Sequence, residues 1–303
     1  MRAILGALAC LLLIGAANGA LAQETLLKPF VLASKDPGEM AQKVDAVKAA
    51  LTQAGFTVAG SYSPYPDATV IGVTDDELRN TAAKSKLGGF GAAMRVAVTK
   101  VHDELQVSYT NPRYWANAYR MAGDLKETSA KLQAALGRVE EFGAKGMTAA
   151  DLRRYHYMFG MEYFNEPSTL ASYGSFDEAI KAVGAGLAAG KEGVTQVYRV
   201  DVPGKQETLF GVAMKGKGDN KVMDDQYIMS EIDFKDVRST AHLPYDILVS
   251  GGKVYALYAR FRIAASFPDL SMMGAHSFMN IMNSPEAIRK ALTLTVGGKL
   301  DAR

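Results

Sequence analysis

Methionine placed beside histidine is the pattern in this chain that points most directly to chemistry. Near the C-terminus runs Ser271-Met272-Met273-Gly274-Ala275-His276-Ser277-Phe278-Met279-Asn280-Ile281-Met282. Met272, His276 and Met279 stand at i, i+4 and i+7, so on a helix they share a face with Met273 beside them. A second segment, Tyr155-His156-Tyr157-Met158-Phe159-Gly160-Met161-Glu162-Tyr163-Phe164, repeats the mixture with His156, Met158 and Met161. Thioether sulfur with imidazole is a soft ligand set, suited to Cu(I). A Met/His pair also holds haem iron, although no C-x-x-C-H attachment motif occurs. The competing use is ordinary packing, because methionine at helical spacing fills cores and lies against aromatic rings.

Other chemistry finds less support. The chain has no G-x-S-x-G elbow, no Walker sequence and no dinucleotide fingerprint. Gly88-Gly89-Phe90-Gly91 precedes a strand pattern instead of opening a helix, so it reads as a bulge or tight turn and not as a phosphate cradle. His102, His156, His242 and His276 are scattered, and no H-E-x-x-H occurs, which argues against catalytic zinc. Asp75-Asp76-Glu77 and Asp224-Asp225 read as helix caps and first-turn charges. Arg260 and Arg262 alternate with Phe261 and Ile263; on a strand both guanidiniums fall on one sheet face, where they either contact an anion or carboxylate or, the commoner use of such alternation, are solvated.

The start of the chain carries an address. Arg2, an apolar run over residues 4–14 and Ala20-Leu21-Ala22 before Gln23 make a secretory signal with an A-x-A cleavage site. The run is shorter than the roughly 20 apolar residues that span a bilayer. Residues 1–22 are therefore expected to be removed, leaving a periplasmic or secreted protein. Cys10, the single cysteine, lies inside that run. The exported chain then has no disulfide, no thiolate metal ligand and no cysteine nucleophile. A net charge of +2 over 303 residues gives no bulk electrostatic reason to bind nucleic acid or anionic lipid.

The remaining length suits two domains, and the chain reads twice. Asp36-Pro37-Gly38-Glu39 looks like a helix start, and Met40, Val44, Val47 and Leu51 follow as one apolar stripe. Strands are expected at 56–58 and 69–73, a short helix after Asp75, strands at 94–98 and 105–109, and helical pattern over 114–139. Ser175-Phe176-Asp177-Glu178 is a capping box that opens the second unit, with Ile180, Val183 and Leu187 on one face. Strands at 196–200 and 208–214, a helix at 223–232, strands at 245–249 and 254–263, and a helix from Ser284-Pro285-Glu286 complete the same order. The expected division is 23–145 for the first module, 146–171 for an aromatic bridge and 172–303 for the second module. An old duplication accounts for the shared order.

Ala49-Ala50-Leu51-Thr52-Gln53-Ala54-Gly55-Phe56-Thr57-Val58 and the late strand followed by Asn111-Pro112 resemble the family called domain of unknown function 302. The resemblance covers most of residues 25–122 and, more weakly, 172–297, where Gly190-Lys191-Glu192-Gly193-Val194 replaces the Gly-Phe junction. It implies an α+β fold: two similar modules, each an antiparallel sheet covered by helices, in a TATA-binding-protein-like layout. It implies no reaction. The expectation is an exported, non-enzymatic binding or accessory protein without a cofactor, holding a small apolar ligand and having no membrane span. The alternative is a copper- or haem-binding protein using the Met/His ligands. An enzyme whose groups meet only in space is the third reading, and a deep polar pocket between the halves is what would favour it.

Overall fold

The structure is a computed structural model and describes residues 25–300. The signal expected at residues 1–22 lies outside the described residues. The first module runs β1 (Phe30–Asp36), α1 (Met40–Gln53), β2 (Thr57–Tyr62), β3 (Ala68–Thr74), α2 (Asp76–Ala83), β4 (Met94–Val101), β5 (Glu104–Thr110), α3 (Pro112–Ala118), α4 (Lys126–Leu136) and β6 (Glu140–Phe142). A short helix α5 (Ala149–Arg153) lies in the bridge. The second module runs β7 (Ser168–Ser172), α6 (Phe176–Ala188), β8 (Val194–Asp201), β9 (Glu207–Met214), α7 (Asp225–Ile232), β10 (Tyr245–Ser250), β11 (Lys253–Ala256), α8 (Ala259–Ser266) and α9 (Ser284–Thr295).

The fold is α+β, with two antiparallel sheets in the orders β2-β3-β4-β5-β1-β6 and β8-β9-β10-β11-β7. Apart from β6, the two orders are the same, strand for strand. The irregularities match as well: β2 bulges between Val58 and Gly60, and β8 bulges between Gln196 and Tyr198. Local signals set several boundaries. Asp75 accepts from the Leu78 amide at 2.9 Å and caps α2. Ser175 accepts from the Glu178 amide at 3.2 Å, while Glu178 reaches back to the Gly174 amide at 3.0 Å.

Alternation along the strands explains how the modules join. Ile71, Val73, Val96 and Val98 bury their side chains with Val44, Val47 and Leu51 of α1. Phe210, Val212, Ile247 and Val249 do the same with Ala179, Val183 and Leu187 of α6. The opposite faces of the two sheets meet each other. Tyr198 is 1% exposed and presses its ring onto Gly72 of the first sheet and Gly211 of its own. A Cβ on Gly72 would come 2.3 Å from that ring, so the close approach requires glycine. The result is four layers: helices, sheet, sheet, helices.

Several expectations need correction. α1 begins at Met40 and not at Asp36, because Asp36 still pairs with Leu105 in the sheet and its carboxylate binds Lys43. The helical pattern over 114–139 is two helices, separated by left-handed Arg120 (φ 49) and Leu125 (φ 54). The strand expected over 254–263 stops at Ala256, and Arg260 and Arg262 lie on α8. Arg262 is 2% exposed, so a solvated strand face was the wrong reading. The bridge at 146–171 contains α5, and the second sheet begins inside it at Ser168.

Candidate functional site

The bridge is tied to α8 by three kinds of contact. Tyr155 donates from its hydroxyl to the Ala264 carbonyl at 2.8 Å. Its ring meets Phe261 at 6.2 Å, and the Phe164 ring meets the same Phe261 at 6.4 Å. Glu162 takes both sides of the Arg260 guanidinium. Between these anchors the chain turns sharply, the Met161 amide donating to the Met158 carbonyl at 3.0 Å across Gly160 (φ 79). Phe159 at the tip is 99% exposed.

The segment at 271–282 is not the helix that the methionine spacing assumed. Gly274 (φ 102) and His276 (φ 53) adopt left-handed conformations that a helix excludes. The Phe278 amide donates to the Ser271 carbonyl at 2.9 Å, closing a loop, and a short 3-10 turn follows over Phe278–Ile281. Met272, His276 and Met279 therefore share no helical face.

The two segments nevertheless converge. Met158 and Met161 from the bridge and Met272 from the loop line one groove with Phe267, Leu270 and Phe278, about 120 Å³ in volume. A second hollow of about 200 Å³ adjoins it, shares Met161, Arg260 and Phe278, and adds Met282. The charged group bordering both, Arg260, is neutralised by Glu162, so the groove is an apolar surface rich in thioethers.

The other expected ligands do not line that groove. Met273 is 73% exposed and Met279 is 51% exposed. His156 holds its Nδ1 2.9 Å from the Met158 carbonyl and packs on Tyr163 at 4.5 Å. His276 stacks on Phe234 at 4.7 Å, its Nδ1 3.3 Å from the Glu231 carbonyl. Among the described residues, no three His, Cys, Asp or Glu side chains gather where they would hold a metal ion.

The sequence reading missed two buried polar features. Arg95 of β4, Asp246 of β10 and Arg262 of α8 form a charged cluster between the sheets, each at most 6% exposed. Asp246 accepts from Arg95 and, at 2.8 Å, from Arg262; its other oxygen accepts from Tyr198 at 2.9 Å. Arg262 also donates to the Tyr119 hydroxyl at 2.8 Å and the His242 carbonyl at 2.6 Å. Burial, with Arg262 and Arg95 nearby, holds His242 well below the usual histidine range. The second feature is a polar cleft of about 380 Å³ with Tyr65, Thr99 and Lys100 on one side and Ser230, Asp233 and Arg238 on the other. Spacing in one sequence cannot reveal either, since each joins residues more than a hundred positions apart.

These features define an α+β protein of two like modules packed back to back, with an apolar thioether groove where the bridge meets the second module. In a comparison with solved structures, the chain is similar to the crystal structure of an uncharacterized conserved protein, DUF302, from Bacillus stearothermophilus. Identity is 13%, the TM-score is 0.33, and the match covers 37% of this chain and 98% of that one. That is the family which residues 49–58 and 111–112 resemble. No family model matches the chain, and neither does any curated protein. Among the described residues, no helix is long and apolar enough to cross a membrane.

Proposed function

We propose that the protein is an exported, non-enzymatic binding protein whose ligand is a small apolar molecule held in the methionine groove. The observation that carries this reading is the convergence of Met158, Met161 and Met272 with Phe267, Leu270 and Phe278 around one opening. Soluble proteins rarely leave such surface uncovered without a use for it. Here Met158, Phe159, Met272, Met273, Met279 and Met282, all on the two converging segments, are at least 38% exposed. Methionine is flexible and polarizable, which suits ligands of varied outline. Export rests on the sequence of residues 1–22, and N-terminal sequencing of the secreted protein tests it.

A second reading is Cu(I), and the three sulfurs of Met158, Met161 and Met272 on one groove favour it. One experiment separates the two. Leucine at all three positions keeps the apolar volume and removes the sulfur. The apolar-ligand reading expects the triple variant to bind nile red within about threefold of the parent protein. The copper reading expects Cu(I) retention, measured against a competing chelator, in the parent protein and its loss in the variant. A parent protein that binds Cu(I) but not nile red overturns the first reading.

A further inference from the structure

The methionine groove does not end at its own walls. The hollow beside it shares Met161, Arg260 and Phe278, and runs on past Tyr258 to Met282 and Glu286. At about 120 and 200 Å³, neither hollow alone reaches the roughly 300 Å³ at which small-molecule pockets begin, and the two together do. One ligand of ordinary size would therefore occupy both.

The two parts differ in chemistry. The first is hydrocarbon and thioether, supplied by Met158, Met272, Ile263 and Leu270. The second adds polar groups that no neighbour uses. Glu162 takes Nε and Nη2 of Arg260, and the guanidinium lies 5.4 Å from the centre of the Tyr258 ring. Arg260 Nη1 and the Tyr258 hydroxyl make no hydrogen bond among the described residues. Neither is a buried atom, and the Arg260 side chain is 40% exposed, so a ligand can reach them. Because Glu162 clamps the guanidinium, Nη1 is a donor already held in place.

Charge decides what kind of head these groups suit. Arg260 is matched by Glu162, and Glu286 holds Arg289 at 2.7 Å. A carboxylate or an ammonium on the ligand would enter with no counter-charge left for it, at a desolvation cost that an uncharged head avoids. An uncharged carbonyl can accept from both Nη1 and the Tyr258 hydroxyl.

Building on the apolar reading of the groove, we propose that a single neutral amphiphile spans both hollows. A hydrocarbon chain lies along Met158, Met161 and Met272, and an uncharged carbonyl or hydroxyl head sits against Arg260 Nη1 and the Tyr258 hydroxyl. Met161 and Phe278, common to both hollows, pack on the join between chain and head.

Octanamide, octanoate and octylammonium share one chain and differ in head charge at pH 7. Binding to the exported protein, followed by NMR titration or calorimetry, is expected to favour octanamide over each ion by at least about tenfold. The double variant Tyr258→Phe, Arg260→Lys keeps the ring and a positive partner for Glu162, and removes the hydroxyl and Nη1. It is expected to weaken octanamide about tenfold, and toluene, which has no head, by less than about twofold. Binding of either ion as tight as that of octanamide overturns the proposal. So does a double variant in which octanamide falls no further than toluene. Nile red, read in the same samples, keeps the two readings apart. Where it binds the parent protein, either of those results removes the polar head and leaves the groove standing. Where neither nile red nor octanamide binds, the groove reading falls and the amphiphile with it.

Discussion

Arg95 and Asp246 hold the same position in the two modules, and they bind each other. Arg95 sits opposite Gly72 in the β3–β4 ladder, and Asp246 sits opposite Gly211 in the equivalent β9–β10 ladder. One step outward, Gly60 faces Gly72 and Tyr198 faces Gly211 after the matching bulges. The duplicated positions have thus diverged into complementary pairs: arginine with aspartate, and glycine with the tyrosine that needs its space. Such complementarity fixes which faces meet.

The charges in that interface are unequal, with two guanidiniums sharing one carboxylate. Asp246→Asn leaves Arg95 and Arg262 buried and facing each other, a loss of about 3–5 kcal/mol. Arg95→Met removes the surplus charge while Arg262 still holds Asp246, so it costs roughly 1–2 kcal/mol. Urea unfolding monitored by tryptophan fluorescence, from Trp115, reads both. Equal losses would mean that Arg95 and not Arg262 is the partner that matters.

Glycine substitutions are expected to act with opposite signs at two sites. Gly72→Ala puts a methyl 2.3 Å from the Tyr198 ring and should cost about 1–3 kcal/mol. Gly184 lies inside α6 with open space around its Cβ direction, so Gly184→Ala should stabilise by about 0.5–1 kcal/mol. Differential scanning calorimetry gives the sign directly, and a neutral Gly72→Ala would contradict the close sheet packing.

Stability is expected to depend on pH through two carboxyls at the ends of α7. Burial pushes both Asp225 and Asp233 up to about 7 from 3.8. Between those values the folded chain binds more protons than the unfolded chain, so these two groups favour folding most at acid pH. Their contribution falls as pH rises through the window, by about 1.4 kcal/mol per pH unit for each group, and is gone above 7. The double variant Asp225→Asn, Asp233→Asn should flatten the profile between pH 4 and 7, as read by chemical unfolding. An unchanged slope would show that neither carboxyl is perturbed.

Much of the framework is legible in the sequence because it is local. Asp75 and Ser175 announce their helices, and Val44, Val47 and Leu51 mark the buried stripe of α1. The first strand of each module, β1 and β7, went unread, since each completes its sheet by pairing with residues far away in sequence. α8 looked like a strand because seven of its eight residues are buried, leaving no polar face to set a helical period. The thioethers of Met158, Met161 and Met272 could be picked out by type. That they meet could not, because the bridge and the loop come together only through α8. The sequence marks Arg262 only as one of an alternating pair and does not mark Asp233, for burial of a charge depends on distant partners.

Binding of nile red to the Met161→Asp variant tests the apolar groove most directly. Met161 borders both hollows, and a charged carboxylate there cannot be desolvated by an apolar ligand without a large penalty. The expected result is saturable binding by the parent protein and at least about a tenfold loss in the variant, with the thermal transition preserved. Binding that is undiminished in Met161→Asp would contradict the assignment of the groove as the ligand site.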